Sequence, residues 1–447
     1  MKARLCLHGV DVKHQAQLLG LVKKELAGYS VSYKVKEHYF ENNDIYKCRV
    51  AHFKPKGEQV SLHILCMWGV LLVSDKPINV ADIIIEYEPS TFAQARVSDL
   101  VASFLQGKLH FVLDEPDLAR RIALLRGSYF LDKLPYYDES TAMTALRCHV
   151  PWHLYVINKL WEQLLLSGGG QRQLWRQLRV KLRRLRSVLS LVKPLFGKMS
   201  LCQSMLKEKA AALSAVREYD VLLQTCERLR GSQARAERAA LPLRQQGSEP
   251  VAQSTLLPAR EAVPSLQHLL AGLRQQAQAR VLQQLELNAV TNELAHIYLY
   301  LLTAANAPCD RGLQEFFAQR LGKWAQKLQQ QGVQPELGDM EQLHRVRIKL
   351  KRFRYALQCV PEVGATPQLL RSLKCLQDLL GVVHDDYVND NYLQQLVAAH
   401  DELPELRYEV ALLRGYEQAK ADGALEQLIA QWQEFNRLLN EWVEGLE

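Results

Sequence analysis

Two stretches of this chain, "QLRVKLRRLRSVL" at residues 177–189 and "RVRIKLKRFRYAL" at residues 345–357, are near copies of each other. When they are aligned at an offset of 168 residues, five basic residues and two apolar residues of the first stretch coincide with equivalents in the second. The coinciding residues are Arg179, Lys181, Leu182, Arg183, Arg184, Leu185 and Arg186 in the first stretch and Arg347, Lys349, Leu350, Lys351, Arg352, Phe353 and Arg354 in the second. The chain therefore contains one crowded basic helix twice.

The duplication continues into the segments that follow each basic helix. "LSAVREYDVLLQTCERL" at residues 213–229 and "LGVVHDDYVNDNYLQQL" at residues 380–396 correspond at an offset of 167. Each segment reads as a helix that is entered through a turn, and the turns carry Arg217-Glu218 and His384-Asp385. Because the pair of elements recurs in the same order, we predict two related helical half-domains.

Helical periodicity places the basic residues beside the core. At about 100° per residue, one face of each helix carries a basic stripe, and the neighbouring face carries an apolar stripe. The basic stripes are Arg176, Arg179, Arg183 and Arg186 in the first helix and His344, Arg347, Lys351 and Arg354 in the second. The remaining basic residues, Lys181, Arg184, Arg345, Lys349 and Arg352, fall on the far side. The stripes are therefore predicted to emerge at the edge of a helix–helix interface.

The positive charge of the chain is concentrated in these helices. Residues 172–186 hold seven basic residues and residues 344–354 hold six, with no acidic residue in either range, whereas the whole chain has a formal net charge of +8. Like charges at i,i+3 and i,i+4 cost a few tenths of a kcal/mol per pair. One interpretation is a solvated helix face, and the other, which we favour, is an anion site, since arginine binds phosphate oxygens bidentately.

Length, composition and cysteine spacing limit the classes of protein to which this chain could belong. The length of 447 residues allows two or three domains, and nine scattered cysteines without C-x-x-C spacing predict free thiols rather than a disulfide framework or a zinc site. The most apolar run, residues 62–73, is too short to span a bilayer. We expect a soluble cytoplasmic protein that uses neither a cofactor nor a metal.

The first part of the chain differs from the rest. β-branched and aromatic runs at residues 29–40, 44–53, 59–74 and 81–89 predict strands, and residues 13–28 predict a helix. Leucine-rich periodicity takes over from about residue 141 and predicts helices near 141–166, 172–195, 199–213, 217–230, 265–303, 312–331, 340–359, 366–380, 384–399 and 405–445. The proline-containing, polar composition of residues 231–264 predicts a linker.

Four stretches closely resemble the signature stretches of the CHAD domain, the conserved histidine α-helical domain. They are "RQLRVKLRRLRSVLSLVKPLF" at 176–196, "VREYDVLL" at 216–223, "HRVRIKLKRFRYAL" at 344–357 and "LKCLQDLLGVVHDDYV" at 373–388. The resemblance spans roughly residues 141–400. It implies a pseudo-two-fold pair of four-helix bundles that encloses a basic cavity for inorganic polyphosphate.

The resemblance also implies phosphate contacts and a domain organisation. The implied contacts are Arg179, Arg183, Arg184 and Arg186 in the first half and His344, Arg347, Lys351, Arg352 and Arg354 in the second. We therefore predict a mostly α protein with a small mixed α/β domain of unassigned role at residues 1–138 and a CHAD-like helical domain at residues 139–447. Within the latter we predict a first half at 139–230, the linker at 231–264, a second half at 265–400 and a C-terminal helix at 405–447.

The chain departs from the family pattern in two places. Arg176 stands where the family has the first histidine, which keeps a phosphate contact but weakens the idea of a switch built on paired histidines. The E-x-E-x-K mark of the triphosphate tunnel metalloenzymes, which often precede CHAD domains, is absent, so we carry over no catalytic residue from that group. Arg217 and His384 occupy equivalent positions and extend the predicted anion surface.

Three function classes remain open after this reading. The favoured class is a non-catalytic polyphosphate-binding protein, and the resemblance implies a place at polyphosphate granules. The second is a nucleic-acid-binding protein, which we disfavour because no aromatic residues alternate with the basic stripe. The third is a polyphosphate or triphosphate hydrolase that uses the N-terminal domain. Asp385 and Glu218, which follow the basic helices, are predicted to cap a helix or to hold an arginine rather than to catalyse.

Overall fold

The structure of the protein is a computed structural model. It describes residues 3–39, 45–56, 61–73, 76–88, 90–114, 121, 142–196, 200–244, 266–284, 286–303, 313–331, 339–360, 365–400 and 404–446. The described part is mostly helical and begins with a small antiparallel sheet, which confirms the predicted fold class. Six cysteines in the described ranges, Cys6, Cys48, Cys66, Cys202, Cys226 and Cys375, are free thiols as predicted.

The N-terminal part forms a six-stranded sheet with two helices. The elements are β1 (Ala3–Gly9), α1 (Gln15–Glu25), β2 (Tyr29–Tyr39), β3 (Ile45–Pro55), β4 (Leu62–Val73), β5 (Lys76–Tyr87), α2 (Thr91–Leu105) and β6 (Phe111–Asp114). The strand order is β2-β3-β4-β5-β1-β6, and all neighbours are antiparallel. The four predicted strands and the predicted helix at 13–28 are confirmed, whereas the shorter β1 and β6 were not predicted.

The helical part contains ten helices among the described residues from 142 onward. They are α3 (Ala142–Leu166), α4 (Arg172–Leu191), the short α5 (Lys193–Phe196), α6 (Ser200–Arg244), α7 (Leu266–Gln283), α8 (Leu287–Thr303), α9 (Leu313–Gln331), α10 (Met340–Cys359), α11 (Pro367–Ala399) and α12 (Pro404–Glu444). Most predicted bounds agree to within a few residues. None of the described helices combines the length and the apolar character that crossing a bilayer requires.

Four of the predicted helix limits are wrong. The predicted breaks near residues 214–216 and 381–383 do not exist, because α6 and α11 run through them without interruption. Residues 231–244 of the predicted linker continue α6, and residues 245–264 lie outside the described residues. The predicted helix at 265–303 is instead divided into α7 and α8. The two false breaks arose because a charged residue pair was taken as a turn, although charged residues are compatible with a helix interior.

The chain divides into two compact units that do not follow the order of the sequence. The first unit comprises Met1–Ala210, Leu282–Ala318 and Gln358–Glu362, and the second comprises Ala211–Val281, Gln319–Leu357 and Val363–Glu447. α4 therefore belongs to the first unit, whereas nearly all of α10 belongs to the second. The predicted boundary at 138/139 falls outside the described residues, and the predicted domain limits stay a prediction.

Side chains from the helices of the first unit complete the sheet edge at β6. Asn288 accepts a hydrogen bond from the backbone N–H of Phe111 at 3.0 Å, and Asn158 accepts one from Leu113 at 2.8 Å. Thr291 donates to the carbonyl of Phe111 at 2.7 Å. An exposed strand edge leaves backbone groups without partners. Here buried polar side chains of α3 and α8 satisfy them, so the sheet and these helices form one structure.

The second unit has a continuous apolar core. Leu222 and Leu223 of α6, Leu270 of α7, Leu393 of α11 and Leu413 of α12 are among the residues of one buried cluster. The apolar stripes of long amphipathic helices bury each other in this way. The core fixes the relative positions of α6, α11 and α12, and it therefore positions the site that these helices form with α10.

Candidate anion-binding cavity

Four helices of the second unit line a cavity of about 450 Å³. The helices are α6, α10, α11 and α12, so segments more than a hundred residues apart in sequence meet here. Five basic side chains line the cavity: Arg228, Arg347, Lys351, Arg354 and Lys420. Four acidic side chains also line it: Asp378, Asp385, Asp386 and Glu417. The site is therefore a cavity with both basic and acidic walls.

The basic wall is formed mainly by the stripe of α10. Arg347, Lys351 and Arg354 follow each other at i, i+4 and i+7, which places them on one face of the helix. The adjacent face carries Leu350 and Phe353, which are buried with at most 1% of their surface exposed. The predicted arrangement of a basic stripe beside a core stripe is correct for this helix. Burial of the apolar stripe fixes the direction of the three basic side chains.

Arg347 has an acidic partner on α11. Its Nη2 lies 3.3 Å from Oδ1 of Asp385, and the side chain of Asp385 is 42% exposed. The alternative that Asp385 holds an arginine is confirmed, whereas the alternative that it caps a helix is wrong because α11 is continuous at this point. A Cβ at Gly381 would lie 3.8 Å from Nη2 of Arg347, so the absence of a side chain there leaves room for the guanidinium.

Arg354 is the less neutralised cation of the stripe. No carboxylate of the described residues lies within ion-pair distance of its guanidinium, and its Nε is buried without a hydrogen-bond partner among them. The guanidinium carbon lies 5.6 Å from the centroid of the Tyr355 ring. Because a buried donor without a partner is costly, Arg354, which lines the cavity, is suited to bind an anion there.

The far side of α10 is engaged elsewhere. Nη1 of Arg345 lies 3.0 Å from the carboxylate of Glu341, and the guanidinium of Arg352 stacks over the ring of Trp324 at 4.7 Å. Neither residue lines the cavity, and Lys349 is exposed outside it. Arg352 was implied as a phosphate contact by the resemblance, and that role stays a prediction although its side chain points away from this cavity.

His344 and His384 contact each other one turn before the cavity. Their Nδ1 atoms are 3.2 Å apart, and their ring centroids are 4.3 Å apart. Burial, together with the nearby charges of Arg347 and Lys351, lowers the pKa of His344. The structure therefore brings the two predicted histidines together, with His344 in its neutral form at neutral pH.

Sequence reasoning missed Glu417, the buried carboxyl group of the cavity lining. Glu417 is 8% exposed, and Asn389 donates to both of its carboxylate oxygens at 3.1 and 3.0 Å. Burial raises the pKa of Glu417, and burial with the neighbouring Asp390 raises that of Asp386. A signal was present, because Glu417 interrupts an apolar stripe of α12 between Leu413 and Ala421. A charged residue on the buried face of a helix indicates a specific partner or a site.

The first basic helix, α4, lies in the first unit, and its basic side chains differ in their exposure to solvent. Arg176 is exposed, whereas Arg179, Arg183 and Arg186 are partly exposed. Burial and the neighbouring Arg183 lower the pKa of Arg186, which indicates concentrated positive charge. Their predicted phosphate contacts, and the predicted trough shared with α10, stay predictions.

Arg184 and Arg217 complete the set of predicted residues. Arg184 is buried, and its Nη2 donates to Oε1 of Gln358 at 3.1 Å. Arg217 is partly exposed on α6 and does not line the cavity. Among the described residues, no group of three or more histidine, cysteine, aspartate or glutamate side chains is placed to hold a metal ion.

A comparison with protein families agrees with this architecture. The family model of the CHAD domain matches residues 159–394, a range that contains α4, α10 and all but the last five residues of α11. The chain belongs to the CHAD domain family. The resemblance of the four signature stretches is thereby confirmed, and the sheet of residues 3–114 lies outside the matched range.

A solved structure shows the same fold. The chain is similar to the crystal structure of the CHAD domain from the plant Ricinus communis, with a TM-score of 0.50 and 22% identity. The match covers 68% of this chain and 96% of the Ricinus domain. No curated protein matches the chain. At this level of identity the likeness establishes the fold of the CHAD domain and not its ligand.

Proposed function

We propose that this CHAD protein binds inorganic polyphosphate without hydrolysing it, and that the cavity of the second unit is part of the binding site. The observation that carries the proposal is the convergence of Arg347, Lys351 and Arg354 from one helix stripe on a single cavity. Arg228 and Lys420 add two cations from other helices. Several arginine and lysine side chains around one cavity suit a ligand with several negative charges better than they suit a single small anion.

The acidic wall does not oppose this proposal as strongly as its residue count suggests. Asp385 already pairs with Arg347, and Asn389 donates hydrogen bonds to both carboxylate oxygens of Glu417. Two of the four acidic side chains of the cavity are therefore already engaged by partners within the protein.

Calorimetric titration with polyphosphates of graded chain length tests the proposal. We expect micromolar or tighter affinity that increases with chain length and decreases as salt is added, because bound counterions are released. An excess of duplex DNA or RNA should not displace the long chain. Displacement at equal phosphate concentration would favour the nucleic-acid class, and the absence of polyphosphate binding would refute the proposal.

A hydrolysis assay tests the non-catalytic part. Polyphosphate and nucleoside triphosphates are incubated with the full-length protein and Mg²⁺ or Mn²⁺, and released phosphate is measured. We expect no release above that of a protein-free control. Release that the full chain sustains over many turnovers would place the protein in the hydrolase class instead. The proposal extends to location in the cytoplasm at polyphosphate granules, which fluorescence microscopy of a tagged protein would test.

A further inference from the structure

The floor of the cavity carries a buried amide whose hydrogen-bonding capacity the protein does not use. Gln377 of α11 is 3% exposed and lines the cavity. Neither its Nε2 nor its Oε1 has a hydrogen-bond partner among the described residues. Buried side-chain amides in native proteins are nearly always hydrogen-bonded, and an exception calls for a specific explanation. A ligand that enters the cavity provides one.

The chemistry of the cavity walls restricts what that ligand is. Arg347, Lys351 and Arg354 can only donate hydrogen bonds, and they require an anion. The Oε1 of Gln377 can only accept, so it requires a donor from the ligand. The nearby carboxyl group of Asp386 also accepts when it is ionised. The ligand must therefore present an anionic group and a hydrogen-bond donor close together.

The interior of a polyphosphate chain does not meet this requirement. Each interior phosphate exposes oxygen acceptors and no donor at neutral pH, so it leaves Oε1 of Gln377 without a partner. A terminal phosphate differs because it has a second ionisable proton, with a pKa near about 6 as in a phosphorylated side chain, so the fraction of chain ends that is protonated offers a donor. A phosphate ester of a polyol likewise places hydroxyl donors beside its phosphate.

We propose that Gln377 makes this cavity selective for a terminal phosphate that carries or adjoins a hydrogen-bond donor. The phosphate would lie against the α10 stripe, with the Nε2 of Gln377 donating to one of its oxygens and Oε1 accepting from the donor. The inference rests on the proposed function, which assigns the cavity to phosphate binding. It adds that chain ends, or phosphate esters with hydroxyl groups, occupy this cavity in preference to chain interiors.

The test compares long-chain polyphosphate that has free ends with the same chain whose two ends are capped as methyl phosphate esters, which carry no hydrogen-bond donor. We expect capping to weaken binding by the wild-type protein about tenfold per chain, the loss that corresponds to a hydrogen bond to a charged group. Gln377→Met should bind the free-ended chain as weakly as the wild type binds the capped chain. It should not distinguish the two chains.

Control variants separate this effect from a loss of folding. Gln395→Met makes the same chemical change at an exposed position of α11 and should behave as the wild type. Gln377→Met should unfold at the same temperature as the wild type or higher, because it removes a buried amide that lacks partners. The comparison of capped and free chains on the wild-type protein needs no variant, so it decides the question even if Gln377→Met does not fold.

Two small probes distinguish the sources of the terminal phosphate. If tripolyphosphate competes with the free-ended chain and glycerol phosphate does not, the cavity takes chain ends, and the reverse result assigns it to phosphate esters of polyols. Equal binding of capped and free chains by wild type and Gln377→Met would overturn the inference and leave the proposed function standing. If no polyphosphate binds but glycerol phosphate does in a Gln377-dependent manner, the proposed function fails and the inference holds. Binding of none of these probes overturns both.

Discussion

The strongest test of the binding site removes the charge of the α10 stripe and compares it with an equal loss from the opposite side of the helix. The test variant replaces Arg347, Lys351 and Arg354 with glutamine. The matched control variant replaces Arg345, Lys349 and Arg352 with glutamine. Both variants lose three positive charges from one helix, so their difference reports position rather than net charge. Only the first set lines the cavity.

The structure sets the expected size of the effect. For a flexible single-stranded polyanion, each basic contact contributes about −0.7 to the slope of log affinity against log salt. Five cavity cations correspond to a slope of about −3.5, or about a hundredfold loss of affinity between 50 and 200 mM salt. Two remaining cations correspond to a slope of about −1.4. The test variant should therefore have a slope less steep than that of the control by about 2.

Affinity at low salt should fall as well. A hydrogen bond to a charged group contributes about 1.5–3 kcal/mol. We take the lower value because Asp385 already neutralises part of the charge of Arg347. Three such losses correspond to about a thousandfold weaker binding of polyphosphate. The control variant should lose less than about tenfold, since its side chains act on the ligand only through long-range electrostatics.

Thermal stability distinguishes loss of binding from loss of structure. The triple replacement relieves like-charge contacts at i,i+4 and i,i+3, which cost a few tenths of a kcal/mol each. It leaves Asp385 without Arg347, but the carboxylate is 42% exposed and remains hydrated. The melting temperature of the test variant should be unchanged or higher. Equal affinities and equal salt slopes in the test and control variants would refute the assignment of the cavity to polyphosphate.

Three further predictions concern the stability of the protein. Asn288→Ala should lower the free energy of unfolding by about 2–4 kcal/mol in urea titration, since three hydrogen bonds that hold β6 and its preceding loop are lost; an unchanged urea midpoint would contradict this. The pKa of Glu417 is raised above 4.5 in the folded protein, so the unfolded chain ionises first and the free energy of unfolding falls as pH rises from about 4.5 through the raised value. The melting temperature of Glu417→Gln should therefore exceed that of the wild type by an amount that grows across this pH window. A difference that stays constant with pH would contradict this prediction. The pKa of His344 is lowered below 6.5 in the folded protein, so the unfolded chain is protonated first and the free energy of unfolding falls as pH drops through 6.5. His344→Gln should therefore lose less melting temperature on acidification than the wild type does. Melting temperatures that fall in parallel for the two proteins would contradict this prediction.

The amino-acid sequence by itself determined the local elements of this protein. β-branched and aromatic runs located the strands β2 to β5, and leucine periodicity located α10 to the residue. The placement of Arg347, Lys351 and Arg354 beside the buried Leu350 also followed from the sequence. These features depend on residues only a few positions apart, so the helical and strand periods are sufficient to predict them.

The tertiary structure alone decided which side chains share the cavity. Whether α11 breaks or continues at Asp385 depends on the packing of its long apolar stripe against α12, because local propensity is weak at this point. Gln377 and Glu417 are separated by forty residues, and each reads locally as a polar interruption of a core face. They become parts of one site because burial against distant helices leaves them facing the same space as the basic stripe. Such proximity is set by long-range packing, and the periodicity of a sequence carries information only about residues that are close along the chain.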